Sequence, residues 1–563
     1  MGRLGLRPLV LLLALVAVAL PFELRTARAE SRLSPEVEEH LLHARPGESI
    51  SILVTLADQV DLSRYTQGRA SAGSMILDLQ ETARRSQAPV NTWLESRGFK
   101  DRVQSFWITN CIFITATPDV IGALASVPGV ERIELDVTGG APKLEVGADL
   151  GGQATHWNLD LVRVPDVWST FGLDGTGIVM GSMDTGIDTN HPALQGKWRG
   201  GTNSWRDIIN NLPNPYDDHG HGSHTIGTMV GGDGPGPFTE DIGVAYGAKV
   251  ISAKVLDSNN SFSSAAIVIA GAQWMLDPDA NPQTNDFPDV INNSWYFNSQ
   301  TFTGFHSSVE AWRAAGIIPV GIVANFGPAP STTRPPGSYN NIMGVGATNI
   351  GDQVAAFSSR GPSPSGSVFP ADLRKPDFSA PGDLVRSSLP GGGYQEWQGT
   401  SMAAPHVAGS AALMLQASPA LSYDDIRGVL ALTAVDIEAA GYDFNSGYGR
   451  VNAFAAVVTI QDPLAVAPAT AAPDPSVHVL ASPNPFWNEV RIDFGPHYSP
   501  TTLEILDVQG RHVRRLRPAT GGASGFVWDG RDEHARELPA GAYFVRISGG
   551  SVGAVSKRLI MVR

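Results

Sequence analysis

The chain has 563 residues, and 40 lysines and arginines against 55 aspartates and glutamates give it a net charge of −15. At roughly 150 residues per domain it is long enough for three or four domains, and its acidic surface disfavours nucleic-acid binding. Its 61 glycines and 40 prolines, with only 17% charged residues, indicate a turn-rich α/β or β protein and exclude a coiled coil.

Residues 1–29 have the pattern of a secretory signal peptide. Arg3 and Arg7 precede an almost unbroken apolar run over residues 9–22, and residues 27–29 (Ala-Arg-Ala) fit an A-x-A cleavage site. The run is shorter than the roughly 20 residues that a membrane-spanning helix needs, although an uncleaved anchor is the alternative. We therefore expect a protein that is secreted or held at the cell surface.

Residues 30–140 predict a small α+β unit. Strands are expected at residues 50–54, 106–108, 112–114 and 130–135, and helices at residues 71–97 and 118–125. The order β-α-β-β-α-β is that of the split βαβ arrangement in ferredoxin-like folds. The only cysteine, Cys111, begins the third strand, so no intramolecular disulfide can form and a buried thiol is expected.

Residues 154–459 alternate short apolar strands with helical stretches. Strands are expected at residues 178–183, 248–255, 290–292, 317–323 and 342–345, and the clearest helices at residues 265–276, 309–315 and 401–416. This alternation predicts an α/β domain with a mostly parallel sheet and helices on both faces. Ligands of such sheets bind beyond the carboxyl ends of the strands.

The remaining residues predict a linker and a small β domain. Residues 460–477 are rich in proline and alanine, which is typical of an extended linker. Residues 478–563 show only short alternating strands, the clearest at residues 490–494, 503–506 and 543–547. Turn signals separate them, which predicts a small β-sandwich.

Three polar residues of the large region together point to nucleophilic catalysis. Asp184 follows the strand at residues 178–183, His221 precedes a small-residue helix start, and Ser401 opens the helix at residues 401–416. Each alone has a structural explanation, as a turn cap, a structural histidine or a helix N-cap. Together they supply the carboxylate, the base and the nucleophile of a serine hydrolase, in one of its known chain orders. The helix N-terminus at Ser401 also suits a developing oxyanion.

Three sequence blocks resemble the signatures of the subtilisin-like serine peptidases, the subtilases. They are residues 183–188 (Met-Asp-Thr-Gly-Ile-Asp), 221–224 (His-Gly-Ser-His) and 399–406 (Gly-Thr-Ser-Met-Ala-Ala-Pro-His). The resemblance covers residues 157–454, and residues 288–295 and 311–317 are similar to the bacillopeptidase F branch of the family. It implies a subtilisin-like fold, with Asp184 as orienting carboxylate, His221 as general base and then acid, and Ser401 as nucleophile.

The same resemblance implies further site residues. The family places a side-chain amide in its oxyanion hole from an Ala-Gly-Asn block, which implies Asn325, with Ala324 in place of the usual glycine. The family also binds an extended peptide between two strand edges. The residues that match these edges are Ser261, Phe262, Ser294, Trp295 and Tyr296. Their aromatic rings either narrow the primary pocket or turn outward and pack under a loop, and both alternatives stay open.

Two other motifs carry no site. The acidic and histidine residues around His221 lack an H-E-x-x-H pattern, so zinc is not expected. Residues 549–553 (Gly-Gly-Ser-Val-Gly) match the G-x-S-x-G motif of lipases and esterases, but they lie between two expected strands and predict a hairpin. The chemistry requires no cofactor. The resemblance implies structural calcium, because many relatives bind it, although no EF-hand loop identifies ligands.

The flanking units also gain a role from the resemblance. It implies that residues 30–140 are an inhibitor-type prodomain, cut away between Gly139 and Ala154. Residues 478–563 resemble flagellar-hook-type immunoglobulin-like domains and C-terminal sorting domains, which implies contact with secretion machinery or the cell surface. We expect a secreted serine endopeptidase, made as a zymogen, that cuts proteins and peptides through an acyl-enzyme. The alternative is a non-catalytic surface protein that binds peptides in the same groove.

Overall fold

The structure, a computed structural model, describes most of the chain between residues 31 and 561. The described residues are 31–45, 47–65, 68–143, 145–146, 156–232, 241–364, 374–439, 441–461, 479–482, 486–487, 489–494, 502–507, 511–516, 525–539, 541–549 and 552–561. The predicted signal peptide and almost all of the predicted linker lie outside them. None of the described helices is long and apolar enough to cross a membrane.

The N-terminal unit is a four-stranded antiparallel sheet with helices packed against it. Its elements are α1 (Pro35–His43), β1 (Ile50–Leu56), α2 (Arg69–Glu95), β2 (Val103–Phe106), β3 (Cys111–Ala116), α3 (Pro118–Leu124) and β4 (Val130–Leu135). The strand order is β2-β3-β1-β4, and all neighbours are antiparallel. This topology confirms the predicted ferredoxin-like fold. Cys111 is buried, and burial raises the pKa of its thiol to about 12.

Two details of this unit differ from the prediction. The strand expected at residues 106–108 ends at Phe106, because Trp107 and Ile108 enter a turn in which Asn110 has a φ of +43°. The amides of both residues in that turn donate to Gln273 Oε1 of the central domain, at 2.8 and 3.4 Å. Helix α1 was not predicted, since among its residues only Val37 is buried and the apolar pattern is therefore weak.

The central domain is built on a seven-stranded parallel sheet. Its main elements are α4 (Trp157–Leu161), α5 (Val164–Phe171), β7 (Val179–Asp184), β8 (Trp205–Asp207), α6 (His221–Val230), β9 (Lys249–Lys254), α7 (Ala265–Leu276), β11 (Val290–Asn293), α8 (His306–Ala314), β13 (Ile318–Ile322), β14 (Met343–Thr348), β15 (Phe378–Pro381), α9 (Thr400–Ala417), α10 (Tyr423–Thr433) and α11 (Ala453–Gln461). The sheet order is β15-β14-β13-β11-β7-β9-β8.

Helices cover both faces of this sheet, as predicted. Side chains of α6, α9, α10 and α11 form one apolar core with one face of the strands. Side chains of α7 and α8 form the other core, which α2 of the N-terminal unit joins with Ala72, Met75, Ile76 and Leu79. The N-terminal unit and the central domain therefore share one buried apolar interface, which favours their association.

Two small three-stranded sheets join the segment after the N-terminal unit to the rim of the central domain, and all six strands are short. They are β5 (Gly139–Gly140), β6 (Glu145–Val146), β10 (Ser261–Phe262), β12 (Tyr296–Phe297), β16 (Val385–Leu389) and β17 (Gly393–Gln398). Strand β5 lies between β10 and β12, and β6 pairs with the end of β17. The segment that leaves the N-terminal unit, residues 139–146, thus pairs with the central domain at both β5 and β6, and it is called the connecting segment below.

The C-terminal residues form two small antiparallel sheets. The strands are β18 (Val479–Ser482), β19 (Val490–Phe494), β20 (Thr502–Asp507), β21 (His512–Leu516), β22 (Gly525–Trp528), β23 (Gly541–Gly549) and β24 (Val552–Met561). Side chains from both sheets share one apolar core, which confirms the predicted β-sandwich. The G-x-S-x-G match falls between the antiparallel partners β23 and β24, so it belongs to a hairpin as expected.

Candidate active site

Asp184 and His221 form a buried hydrogen-bonded pair beside the central strand of the sheet. Asp184 ends β7, and His221 begins α6. His221 Nδ1 donates to Asp184 Oδ1 at 2.7 Å, and Thr185 N donates to the same oxygen at 2.7 Å. Thr225 Oγ1 donates to Asp184 Oδ2 at 3.2 Å. With Nδ1 donating, His221 Nε2 is the imidazole atom that can accept a proton, and among the described residues it has no hydrogen-bond partner.

Asp217 holds the start of α6 in place. Its carboxylate accepts from Gly220 N at 2.7 Å, Ser223 N at 2.8 Å and Thr185 Oγ1 at 2.8 Å. Burial alone would raise the pKa of Asp217, but these backbone hydrogen bonds outweigh it and lower the pKa. A charged carboxylate therefore fixes the backbone from which His221 projects.

Lys254 is a buried lysine next to Asp184, and no sequence motif predicted its role. It ends β9 and lies opposite Asp184 in the parallel ladder. Its ammonium group donates to Thr185 O at 2.7 Å, Leu256 O at 2.9 Å and Asp218 Oδ1 at 2.5 Å. These bonds tie the loop after β7 to the segment before α6. The position of Lys254 within the apolar run at residues 248–255 was the sequence signal that could have predicted a buried lysine.

Ser401 lies in the first turn of α9 and is 1% exposed. Its Oγ donates to Ser294 O at 3.1 Å, while Ser294 Oγ donates to Ser401 O at 3.0 Å. Helix α9 packs along α6, the helix that His221 begins. The structure thus brings Asp184 and His221 together, and in it the Ser401 hydroxyl is directed to Ser294 rather than to His221.

Asn325 follows the end of β13 by three residues and contacts Thr400, the residue before Ser401. Its Oδ1 accepts from Thr400 N at 3.0 Å and from Thr400 Oγ1 at 2.7 Å, which leaves its NH₂ group for other partners. Ala324 has a φ of +79°, so it takes the left-handed conformation that the expected glycine would adopt more easily. At Gly399, which has a φ of +152°, a Cβ would lie 3.0 Å from Asn325 Nδ2, so only glycine leaves this amide undisturbed.

A cleft of about 240 Å³ opens beside Asn325. Residues of the connecting segment, the β12 edge, the loops after β13 and β14 and the end of β17 line it. They are Pro142, Lys143, Tyr296, Asn325, Phe326, Phe357 and Gln398. The Tyr296 ring meets the Phe326 ring edge-on at 5.2 Å, so it forms part of the cleft wall.

Of the predicted edge residues, Ser261, Phe262 and Tyr296 lie in the two strands that hold β5, and Ser294 and Trp295 precede β12. Gly140 pairs with Ser261 on one side and Tyr296 on the other, and Gly139 pairs with Phe262 and Phe297. The rings of Phe262 and Trp295 are buried and meet edge-on at 5.7 Å. Of the two alternatives for the aromatic residues, Trp295 packs inside the domain, whereas Tyr296 borders the cleft.

His224, the third histidine of the His-Gly-His-Gly-Ser-His run, has a structural environment. Its ring stacks on Trp397 at 4.5 Å, and its Nε2 donates to Gln395 O at 3.0 Å. Burial lowers the pKa of His224 to about 3, so the ring is neutral at physiological pH. It therefore contributes packing between α6 and β17 rather than charge.

Comparisons with known proteins match two parts of the chain. The model of the subtilase family matches residues 175–449, and that of the FlgD Ig-like domain matches residues 489–552. Bacillopeptidase F of Bacillus subtilis is 36% identical over 454 residues, which cover 75% of this chain and 31% of that protein. Subtilisin E of the same organism is 29% identical over 72% of this chain and 96% of its own length. Subtilisin DY of Bacillus licheniformis is 33% identical over 54% of this chain and 99% of its own length. This chain thus spans about a third of bacillopeptidase F but nearly the whole of the subtilisins.

Proposed function

Because this chain belongs to the subtilase family of serine endopeptidases, we propose that it hydrolyses protein substrates with Asp184, His221 and Ser401 as its catalytic triad. The observation that carries this proposal is the 2.7 Å bond from His221 Nδ1 to Asp184 Oδ1, which leaves Nε2 able to accept a proton. Ser401 lies on the helix that packs against the helix of His221. These positions support an aspartate that orients the base, a histidine that takes the proton and a serine that attacks.

Catalysis requires the Ser401 hydroxyl to turn from Ser294 O toward His221 Nε2. We propose that a change of the Ser401 side chain between staggered rotamers makes this turn. His221 then removes the hydroxyl proton as Oγ attacks the substrate carbonyl carbon, and it returns the proton to the leaving amine. In the second step, His221 removes a proton from water as the water attacks the acyl-enzyme. The proton then returns to Ser401 Oγ as the acyl group leaves.

The oxyanion would be stabilised by the Asn325 amide and by backbone N–H groups in the first turn of α9. Thr400 holds Asn325 Oδ1 through two hydrogen bonds, which fixes the direction of the NH₂ group. A donor that is already oriented costs no reorganisation when charge develops on the carbonyl oxygen. Thr400 is therefore proposed as a positioning residue for Asn325.

We expect Asn325→Ala to lower kcat about 10²- to 10³-fold with little change in KM, because the donor acts mainly on the transition state. Steady-state kinetics of the matured enzyme on a peptide substrate measure this. Thr400→Val should cause a smaller loss of kcat, since it removes only the hydroxyl bond to Oδ1. Thr400→Ser keeps both bonds and should remain close to the parent enzyme. Equal kcat values for Asn325→Ala and the parent would contradict the assignment.

The N-terminal unit is proposed to be an inhibitory prodomain that keeps the enzyme a zymogen. Support comes from β5, which occupies the position between β10 and β12 where an extended substrate would add as a strand. Polar contacts accompany the shared apolar interface: Arg69 pairs with Asp289 at 2.7 Å, and Thr303 Oγ1 donates to Glu134 Oε1 at 2.8 Å. A substrate cannot enter the groove while this segment fills it.

The maturation bond is proposed to lie within residues 141–144. On one side of this stretch β5 pairs with both groove edges, and on the other side β6 pairs with Trp397 and Gln398. Gln398 is followed by Gly399 and then by α9, which carries Ser401. Pro142 and Lys143 also line the cleft beside Asn325, which supports a cut in this stretch. Reading both termini of the secreted form by mass spectrometry tests this bond, and it also shows whether the C-terminal domain stays attached.

We expect the full-length precursor to gain stability from Asp136 as the pH falls. Burial raises the pKa of Asp136 from 3.8 to about 6, even though Ser264 and Ala265 donate hydrogen bonds to its carboxylate. The folded chain therefore holds a proton that the unfolded chain releases between about pH 4 and pH 6, so this contribution is present at low pH and is lost as the pH rises toward 6.

The measurement compares the thermal unfolding of the Ser401→Ala precursor with that of Ser401→Ala/Asp136→Asn at pH 5.0 and pH 7.5. Asparagine still accepts the hydrogen bond from Ala265 N, which is 2.8 Å long in the parent, but it does not titrate. The quantity of interest is the free energy of unfolding of the double variant minus that of the Ser401→Ala precursor. This difference should be about 1 kcal/mol larger at pH 7.5 than at pH 5.0. The same difference in stability at both pH values would rule out the raised pKa.

We also propose that the protein binds calcium as a structural ion, because calcium binding is typical of the subtilase family. Within the described residues, Asp277, Asp279 and Asp286 offer carboxylate oxygens that lie within 4.8 Å of one another. Burial, together with the charges of the other two carboxylates, raises the pKa of Asp277 to about 6. A bound cation would relieve this repulsion, and oxygen ligands suit calcium. These residues therefore fit a calcium ion.

Secretion and surface attachment are proposed from the two ends of the chain. The sequence of residues 1–29 supports export, and the match of residues 489–552 to a FlgD Ig-like domain supports contact with secretion machinery or the cell surface. Detecting the protein in the medium and in the washed cell fraction tests this. Removing residues 478–563 should change the distribution between the two fractions if the domain directs it.

A fluorophosphonate probe separates the peptidase from a non-catalytic peptide-binding protein. Only a serine activated by a base reacts with such a probe, so the purified mature form should be labelled at Ser401. Casein hydrolysis by the same preparation should appear together with the label. Absence of both would favour the binding protein.

A further inference from the structure

Gly139 occupies a position in the groove that has no room for a side chain. A Cβ added to this residue would lie 2.2 Å from Tyr296 O and 2.3 Å from Phe262 Cζ. Both distances are far below van der Waals contact, and the carbonyl is backbone that a rotamer change cannot move. A shift of the chain away from this carbonyl needs room on the side of the Phe262 ring.

The Phe262 ring is held in place by other aromatic residues. Phe262 is 2% exposed, and its ring meets Trp295 at 5.7 Å and Phe297 at 5.5 Å, both edge-on. Trp295 and Phe297 are fully buried and pack on Phe305 in turn. Such edge-to-face contacts stabilise the cluster in one arrangement. Phe262 therefore cannot swing aside to admit a side chain.

Gly140 is enclosed by the backbone of the β10 edge. A Cβ on Gly140 would lie 2.6 Å from Asn260 O and 3.0 Å from Ser261 Cα. Asp257 holds this edge, because it accepts from Ser261 N and Ser261 Oγ at 3.1 Å and its carbonyl accepts from Asn260 N at 3.0 Å. Because a fixed turn forms this wall, the second position also has no room for a side chain.

We propose that the groove selects substrates with glycine at two adjacent positions, those that Gly139 and Gly140 fill, and that Phe262 is the specificity-determining residue for the first. The proposal rests on the peptidase function proposed above. It makes the chain's own connecting segment a sequence that fits its groove, and it predicts cleavage of glycine-rich protein segments a short, fixed distance after the glycine pair.

The test is a cleavage profile of the mature enzyme on a mixed peptide library. Alignment of the cut sites should show glycine enriched at two consecutive positions upstream of the cut. Cut sites with other residues equally frequent at every upstream position would overturn this inference but leave the peptidase function intact. If the enzyme cuts no peptide and takes no fluorophosphonate label, the proposed function itself has failed.

Matched peptides and one variant test whether Phe262 causes the preference for glycine at the first position. Replacing the first glycine of a cleaved peptide with alanine should lower kcat/KM about 10- to 200-fold. Phe262→Ala should reduce this discrimination at the first position and leave it unchanged at the second. Phe302→Leu is the control, because Phe302 packs on Phe297 in the same cluster and is not among the atoms nearest Gly139. Unchanged discrimination in Phe262→Ala would remove Phe262 from the proposal, and if that variant does not fold, the peptide series on the parent enzyme still decides.

Discussion

Replacing Ser401 with alanine is expected to abolish peptide hydrolysis and to leave the precursor uncut. Without Oγ no acyl-enzyme forms, and only substrate binding and the oxyanion donors remain. For the triad serine of such an enzyme this loss is on the order of 10⁶-fold in kcat. Casein hydrolysis measures the activity, and gel electrophoresis of the purified protein shows whether the connecting segment has been cut.

Ser410→Ala is the matched control for this experiment. Ser410 lies on the same helix, α9, is fully buried, and donates through its Oγ to His406 O at 2.7 Å. The substitution therefore removes a buried hydroxyl of the same kind without touching the groove. Its activity should stay close to that of the parent. A Ser401→Ala enzyme that hydrolysed casein at the parent rate would refute the nucleophile assignment.

Replacing Asp184 with alanine is expected to lower kcat about 10⁴-fold. The substitution removes the carboxylate that accepts from His221 Nδ1 at 2.7 Å. His221 would then lose the partner that selects its tautomer and stabilises its protonated form during the reaction. Kinetics of the matured variant, after cutting of its connecting segment by the parent enzyme, should show the loss mainly in kcat.

Asp174→Asn is the control, because it changes a carboxylate near the opposite end of the same strand. Asp174 Oδ1 accepts from Thr176 N at 2.8 Å in the turn that precedes β7, whereas Asp184 ends that strand. The asparagine keeps this acceptor, so the turn should persist and kcat should not change. A similar loss of activity in both variants would mean that Asp184 acts through the fold rather than through His221.

Much of the central domain was predictable because its signals are local. Helix α7 was predicted at its observed bounds, Ala265–Leu276, since an apolar run follows a serine whose side chain accepts from Ala266 N. Strand β11 was predicted to within one residue from its own short sequence, which begins with Val290 and Ile291. Asp184, His221 and Ser401 stood in motifs that need no distant partner to be read.

The path of the connecting segment was not predictable from local signals. Gly139 and Gly140 begin a glycine-rich passage without a strand pattern, and their strand forms only because β10 and β12 supply hydrogen-bonding partners on both sides. Trp107 and Ile108 likewise read as a strand, but Gln273 of α7 binds their amides instead. The role of Lys254 depends on three loops that meet only in the folded chain. In each case a partner far along the chain decides the structure.

The buried Cys111 has a practical consequence for following maturation. It is the only sulfhydryl of the chain, and it lies on the N-terminal side of the proposed cut. A maleimide dye applied after denaturation would therefore colour the precursor and the released fragment but never the mature enzyme. For the same reason the mature enzyme offers no thiol to mercurials or other thiol-specific reagents, so inhibition by such reagents in a crude extract would point to a different protease.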